Sequence, residues 1–383
     1  MRAAEVVIIG GGPAGLIAAA ETARLGLDVL LLEEDEIVGR PERCAGLYSI
    51  RGLERLGIQL SKKYVQNLVW GGVIHSPSGE AFEVSSPEPV AIVAERESFD
   101  RYLAERALKM GVETRLGSRA TSCSLGIDSK SCVTRLEGGA EIKSEAAIIA
   151  EGSAARLSRR VFKDYYAPFW LPIVQLIVKN HGLDKRAAHV WFKSYLKDFF
   201  GYLVPINEEL GKLGVAARQD PLRKAQRLIK EEMPGAKILG YSVHSVYRGP
   251  PLELGLKGRI LLAGDVAGQV KATTGGGIVT GGLCAKAAAS HIHKLLREGV
   301  DGAYKTATRG LYRELKATYW ISRMLSGLSD KNLDDIIRSI RESGFNKSLS
   351  FRGDMDFQVT GVLKSLATVQ GLRFATSLMR SLI

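Results

Sequence analysis

An α/β fold is predicted by three observations: an apolar run entering a glycine-rich turn, an aromatic-dense middle stretch in extended pattern, and a second strand-and-glycine signal beyond it. Residues 5–33 carry the first. The apolar run Val6-Val7-Ile8-Ile9 leads into Gly10-Gly11-Gly12-Pro13-Ala14-Gly15, an alanine-rich helical pattern follows, and Val29-Leu30-Leu31-Leu32 ends on Glu33. That order is the Rossmann-like strand–turn–helix–strand unit. Residues 165–249 carry the second, with Trp170, Trp191, Phe192, Phe199, Phe200 and Tyr202 in strand-like settings. The third is the run Ile260-Leu261-Leu262-Ala263 closing on Gly264-Asp265, ahead of a glycine-rich turn and a long alanine-rich helix. The nucleotide domain is therefore expected to be discontinuous. Residues 1–160 form its first part and 250–299 its return segment. A sheet-based substrate domain at 161–249 is inserted, and a C-terminal helical region occupies 300–383.

Taken in order, the first element is also the most specific. A lone G-x-G-x-x-G is a weak signal, but here it follows a buried strand, opens a helix and precedes an acid by about 20 residues. Gly10 permits the tight turn, Gly12 admits a pyrophosphate close to the main chain, and Gly15 lets the helix lie against the strand. The helix start adds unpaired N–H groups and the positive end of its dipole. Glu33 can accept hydrogen bonds from a ribose hydroxyl pair. These features imply a bound dinucleotide.

A Gly-, Pro- and Arg-containing loop at 39–46 comes next, ending in Cys44-Ala45-Gly46. Residues 64–94 alternate apolar and polar around turn signals and read as short antiparallel strands inserted in the first domain. Residues 97–110 have helical periodicity, with Ser98 a candidate N-cap. A buried strand at 146–150 enters Glu151-Gly152, and a helix is expected near 221–233. His75, His189 and His244 sit in expected strands without partner motifs and read as structural.

Composition removes several classes. No apolar run approaches the roughly 20 residues of a membrane-crossing helix. No leader is visible before the first strand, and cytoplasmic residence is the expectation. The four cysteines lack metal-ligand spacing, so neither a metal site nor a disulfide framework is expected. The net charge of +12 suits an anionic partner or a plain solvated surface. Its cations are dispersed rather than interleaved with aromatics, which argues against nucleic acid.

Residues 264–278 decide which dinucleotide. A carboxylate at a strand end, Asp265, can hold a ribityl hydroxyl, and the helix start at Gly277 and Ile278 offers N–H groups to the pyrimidine end of a flavin. Two dipole-bearing turns suit FAD better than NAD. Arg96, opening a further helix, adds a cation.

With these residues assembled, the chain resembles the geranylgeranyl reductase family of FAD-dependent oxidoreductases, within the p-hydroxybenzoate hydroxylase fold group. The resemblance rests on the fingerprint with Glu33, the P-x-x-C run at 41–44, R-x-x-F-D at 96–100, and the string Val270-Lys271-Ala272-Thr273-Thr274-Gly275-Gly276-Gly277-Ile278. It covers residues 1 to about 300. It implies FAD contacts at Ala14, Glu33, Cys44, Ala45, Arg96, Ala120, Asp265, Gly277 and Ile278, with Gly46 beside the loop pair. The chain departs from the family pattern in three places. Glu151 stands for an aspartate, Ala272 for a proline, and residues 200–205 replace Y-x-W-x-F-P by Phe-Gly-Tyr-Leu-Val-Pro.

The resemblance implies reduction of carbon–carbon double bonds in the isoprenoid chains of a polar lipid or prenyl diphosphate. Electrons would come from a low-potential donor or NAD(P)H. Taken alone, Cys44 reads as a small buried hydrophobe; the resemblance places it beside the flavin, where it tunes the ring environment or donates a proton, the other candidate donors being a tyrosine such as Tyr202 or a bound water. Trp191, Phe200, Tyr202 and Pro205 read either as core or as an apolar tunnel. Two alternatives remain open: a flavin monooxygenase or halogenase acting on a small aromatic, and a non-catalytic flavin-carrying protein that binds membranes or RNA. Finally, residues 357–383 set Val359, Val362, Leu363, Leu366, Val369, Leu372, Phe374, Leu378 and Leu382 among Lys364, Arg373 and Arg380, with no acid. This stripe either packs on the protein's own core or meets a membrane peripherally.

Overall fold

Six strands pair in the order Leu256–Lys257, Ile260–Leu262, Ala146–Ile149, Val6–Ile9, Val29–Leu32 and Glu113–Arg115. All pairings are parallel except the first, which is antiparallel. The computed structural model describes residues 4–42, 44–253, 256–257 and 259–382. Arg43 of the P-x-x-C run lies outside the described residues, as do the side chains of Leu378, Arg380 and Leu382. The central strands are buried along their whole length. A parallel sheet covered on both faces demands this, and the sequence therefore shows unbroken apolar runs rather than alternation. The helices Pro13–Arg24, Arg96–Lys109 and Ile278–Glu298 belong to the same unit, the first packing on the other two. The unit gathers Met1–Glu42, Arg96–Trp170 and Tyr247–Lys316.

A three-stranded antiparallel sheet in this unit joins Ala120–Leu125, Cys132–Leu136 and Glu141–Ser144. Cys123 and Cys132 are buried there, and burial pushes their thiols up to about 11 and about 12. They act as small core residues.

The second unit comprises Arg43–Glu95, Leu171–Val246 and Ala317–Ile383. Its seven-stranded sheet runs Lys237–Tyr247, Trp170–Lys179, Leu210–Ala216, Gly201–Pro205, Ala187–Trp191, Gly71–His75 and Ala81–Ser85. Alternation sorts the side chains onto two faces. Val174, Leu176, Trp191, Leu203, Leu213 and Val215 pack with Ala225, Leu228 and Ile229 of the helix Pro221–Glu232. Leu171, Ile173, Phe199, Phe200 and Ala216 form a separate cluster with Tyr202 against it. A small sheet of Leu47–Ser49, Ala91–Ala94 and Val65–Val69 completes the strands.

Two expectations need correction. The strands at 64–94 fall in the second unit, because Gly71–His75 pairs in parallel with Ala187–Trp191, residue for residue from Gly71↔Ala187. Ser98 is not an N-cap, since its helix already begins at Arg96.

His75 and His189 lie on these two adjacent strands. His75 Nε2 is 3.1 Å from His189 Nδ1, and both rings stack with Trp191. His189 is 7% exposed. Burial, reinforced by His75 and His181, lowers it to about 4. The unfolded chain therefore binds a proton that the folded chain refuses between the ordinary histidine range and about pH 4. Stability from this group is complete above about pH 6.5 and falls as pH drops towards 4, by about 3 kcal/mol in all. Urea titrations at pH 7 and pH 4.5 should show that loss in the parent and a smaller one in His189→Asn. Equal acid losses in the two would remove His189 as the cause.

Candidate functional site

The first unit brings most of the expected cofactor residues together. Gly10 has φ +109°, a conformation closed to most side chains, and a methyl group there would overlap the Ala150 carbonyl. A methyl on Gly15 would overlap the carbonyl oxygen of Gly10. Gly12 is different. It caps the helix Pro13–Arg24 in extended conformation with no side chain closing the cap, and among the described residues a methyl there would meet nothing within 4 Å beyond its chain neighbours. Two glycines are thus fixed by the protein's own packing, and the third faces open space at an uncapped helix start. A phosphate group suits that space and those N–H groups.

Glu33 closes the turn from the neighbouring strand. Its Oε2 accepts from the Gly11 N–H and its Oε1 from the Asp35 N–H at 2.9 Å. Burial raises its carboxyl above the ordinary range, against the pull of those two hydrogen bonds. Gly11 escaped the sequence reading, yet a methyl on it would stand 2.8 Å from Glu33 Oε2. Glu33 also anchors the next segment, since Ser118 N–H donates to its carbonyl at 2.7 Å. Ala120, two residues on, begins its strand half-buried.

The return segment meets the same turn. A methyl on Gly264 would lie 2.7 Å from the Ala14 side chain. Asp265 follows in a short 3-10 helix, Gly264–Ala267. Its Oδ1 would stand 2.8 Å from a methyl on Gly277, so the bare Gly277 makes room for the carboxylate at the start of Ile278–Glu298. Burial raises the Asp265 carboxyl, opposed by the charge of Arg96. Arg96 itself donates to Asp100 Oδ1 at 2.7 Å, which explains the R-x-x-F-D spacing as one helical turn. Gln269, another residue missed from sequence, is fully buried and organises this corner. It accepts from Gly264 N–H at 2.7 Å, donates to Tyr304 at 2.7 Å, and its carbonyl accepts from Thr280 at 2.6 Å.

The second unit assembles Cys44, Ala45, Gly46 and Tyr202. Cys44 is half-buried, and its Sγ accepts from Gly46 N–H at 3.4 Å and from the Tyr48 hydroxyl at 3.6 Å. Gln175 links the two expected catalytic residues. Its Nε2 donates to the Cys44 carbonyl at 3.1 Å, and its Oε1 accepts from the Tyr202 hydroxyl at 3.4 Å. Burial, followed by the neighbouring Cys44, pushes the Tyr202 hydroxyl well above the ordinary phenol range. The ring covers Gly214, where any side chain would overlap it. Ala45 and Tyr202 both pack against the cluster of Val69, Ala91, Val93 and Val204. Trp191 does not belong here. It lies on the opposite face and donates from Nε1 to Glu232 at 3.0 Å, so it is core rather than tunnel wall.

The family model described as lycopene cyclase protein matches residues 5–208. Digeranylgeranylglycerophospholipid reductase 2 of Methanothermobacter thermautotrophicus is 29% identical over 88% of this chain and 91% of its own. A solved geranylgeranyl bacteriochlorophyll reductase-like protein of Thermoplasma acidophilum superposes with a TM-score of 0.85 over 100% of both chains, at 20% identity. The p-nitrophenol 4-monooxygenase of Pseudomonas putida superposes with a TM-score of 0.71 at 18% identity, over 97% of this chain and 99% of its own. The expected resemblance and fold class hold over nearly the whole chain, including the C-terminal helices that the motifs left unmatched.

Proposed function

The chain belongs to the lycopene cyclase protein family, and from that premise we propose that it binds FAD and reduces carbon–carbon double bonds in the isoprenoid chains of a polar lipid. The observation that carries the reading is the pair of turns joined at Ala14 and Gly264: one has open space at Gly12, the other the half-buried carboxylate of Asp265. The reductase name of a relative covering 88% of the chain supplies the substrate class.

In this reading the helix start at Gly12 and Pro13 takes the pyrophosphate, and Glu33 takes the ribose next to it. Ala120 lies along the adenine side. Asp265 takes the ribityl chain, and Gly277 and Ile278 offer main-chain N–H groups to the ring. Cys44, Ala45, Gly46 and Arg96 complete the set. A reduced flavin, when bound, supplies a hydride to one alkene carbon. The other carbon needs a proton. Tyr202, held by Gln175, is the proposed donor, with Cys44 or a bound water as the alternatives. An unactivated alkene also requires exclusion of water, and the aromatic cluster of Phe199, Phe200 and Tyr202 provides an apolar wall. The electron source is a low-potential donor or NAD(P)H, and the protein meets the lipid peripherally at a cytoplasmic membrane face.

Anaerobic mixing with chemically reduced flavin and an unsaturated archaeal-type lipid tests the proposal. Mass spectrometry should show the gain of one hydrogen pair for each double bond removed. Unchanged lipid, with NAD(P)H consumed in air on a phenol instead, would favour the monooxygenase reading that the Pseudomonas enzyme's fold keeps open. Asp265→Ala should retain the fold and weaken FAD by about 1–3 kcal/mol, the cost of losing a buried hydrogen bond to a charged group. An unchanged titration with FAD would detach Asp265 from the cofactor.

A further inference from the structure

The last two helices are built inside out. In Gln358–Leu366 the buried positions are Gly361 and Ser365, and in Val369–Leu382 the inward Gly371 lies against the Leu366 carbonyl. Close approach and hydroxyl groups hold this inner face. A methyl on Gly361 would stand 2.7 Å from the Asp354 nitrogen. Ser365 donates to the Gly361 carbonyl at 2.9 Å, and the Ser348 and Thr368 hydroxyls are 3.1 Å apart. Four large apolar residues of these helices point outwards instead. Val362 is 38% exposed, Leu363 61%, Val369 62% and Leu372 67%, and Phe351 on the adjoining helix Phe345–Arg352 is 87% exposed. Of the stripe, Phe374 does turn inward, stacking on Phe345 at 4.7 Å.

A soluble surface ordinarily inverts this arrangement, with small or apolar residues inside and polar ones outside. Here each exposed apolar pair also has a cation next to it: Lys364 follows Leu363, and Arg373 follows Leu372. No acid occurs anywhere from 357 to 383.

We propose that this helix pair is the surface by which the protein seats itself on an anionic lipid bilayer, Leu363 and Leu372 entering the headgroup layer and Lys364 and Arg373 meeting the lipid phosphates. The choice of a bilayer rests on the lipid-substrate reading above; the exposed surface stands independently of it. Charge argues for lipid over a second copy of the chain. A twofold contact would set this patch against itself and bring the same cations together with no acid from 357–383 to pair them. The mode is interfacial, because among the described residues no helix is long and apolar enough to cross a membrane.

The test uses the full chain with its bound flavin, sedimented with vesicles of phosphatidylglycerol or of phosphatidylcholine at low and high salt. Binding is expected to phosphatidylglycerol and to weaken with salt. Lys364→Gln and Arg373→Gln should each reduce it by about five-fold. Leu363→Asp and Leu372→Asp together should abolish it, leaving thermal stability and flavin content unchanged because both side chains already face solvent. Absence of binding by the parent protein, or full binding by the aspartate variant, would overturn the proposal. A parent dimer that the aspartate variant dissociates, without vesicle binding, would assign the patch to a second copy. The two proposals fail separately: vesicle binding without lipid reduction removes only the reductase reading, and reduction of detergent-dispersed lipid without vesicle binding removes only the docking surface.

Discussion

Gly12→Val is expected to give a folded protein that is colourless, where the parent is yellow with non-covalent FAD. The structure separates the two effects. Gly12 has φ −74° and ψ 176°, extended backbone that valine adopts readily, and among the described residues nothing beyond its own chain neighbours lies within 4 Å of the position its Cβ would take. The fold should lose no more than about 1 kcal/mol, the cost of a poorer N-cap. The same branched side chain would fill the space at the helix start and block a pyrophosphate. Gly15→Val is the matched control, because its side chain would strike the Gly10 carbonyl and should cost stability as well as colour. Flavin absorbance and a thermal melt on each variant check this. A yellow Gly12→Val protein would mean that the turn holds no pyrophosphate.

The second large effect is on turnover. Tyr202→Phe removes the hydroxyl that Gln175 holds, and should lower alkene reduction by about a hundred-fold or more while FAD content stays unchanged. Because Tyr202 is raised above the ordinary phenol range, the parent should keep its acid form, and hence its rate, through pH 10. Cys44→Ser is the comparison. It should retain FAD and slow reduction less, since Gln175 meets the cysteine at its main-chain carbonyl, which serine keeps. Undiminished activity of Tyr202→Phe, with a deep loss in Cys44→Ser, would move the proton donor to the cysteine.

How far the sequence could be read depended on the distance between partners. The glycine turn was legible because its strand, turn, helix and acid are consecutive, and Gly10 and Gly15 are explained by contacts with Ala150 and with each other. The strand at Gly71–His75 was visible as a strand, but its parallel partner begins more than a hundred residues later, and alternation does not name a partner. The same limit separated Trp191 from Tyr202. Both read as aromatic strand residues, and only the register, Trp191 opposite Gly201 and Val190 opposite Tyr202, shows that they face opposite ways. Gln269 gave no signal, since a buried glutamine that joins Gly264 to Tyr304 belongs to no local pattern.

The strand order of the first sheet also governs how the chain emerges during synthesis. Val6–Ile9 has Val29–Leu32 as an early neighbour, but its other edge waits for Ala146–Ile149, which waits in turn for Ile260–Leu262. At ribosomal speeds of roughly 5–20 residues per second, that last strand appears tens of seconds after the first. Throughout that interval a fully apolar strand edge is exposed beside the ribosome. A nascent chain stalled before residue 260 should therefore recruit holdase chaperones and be open to protease, and one released beyond it should lose both sensitivities together.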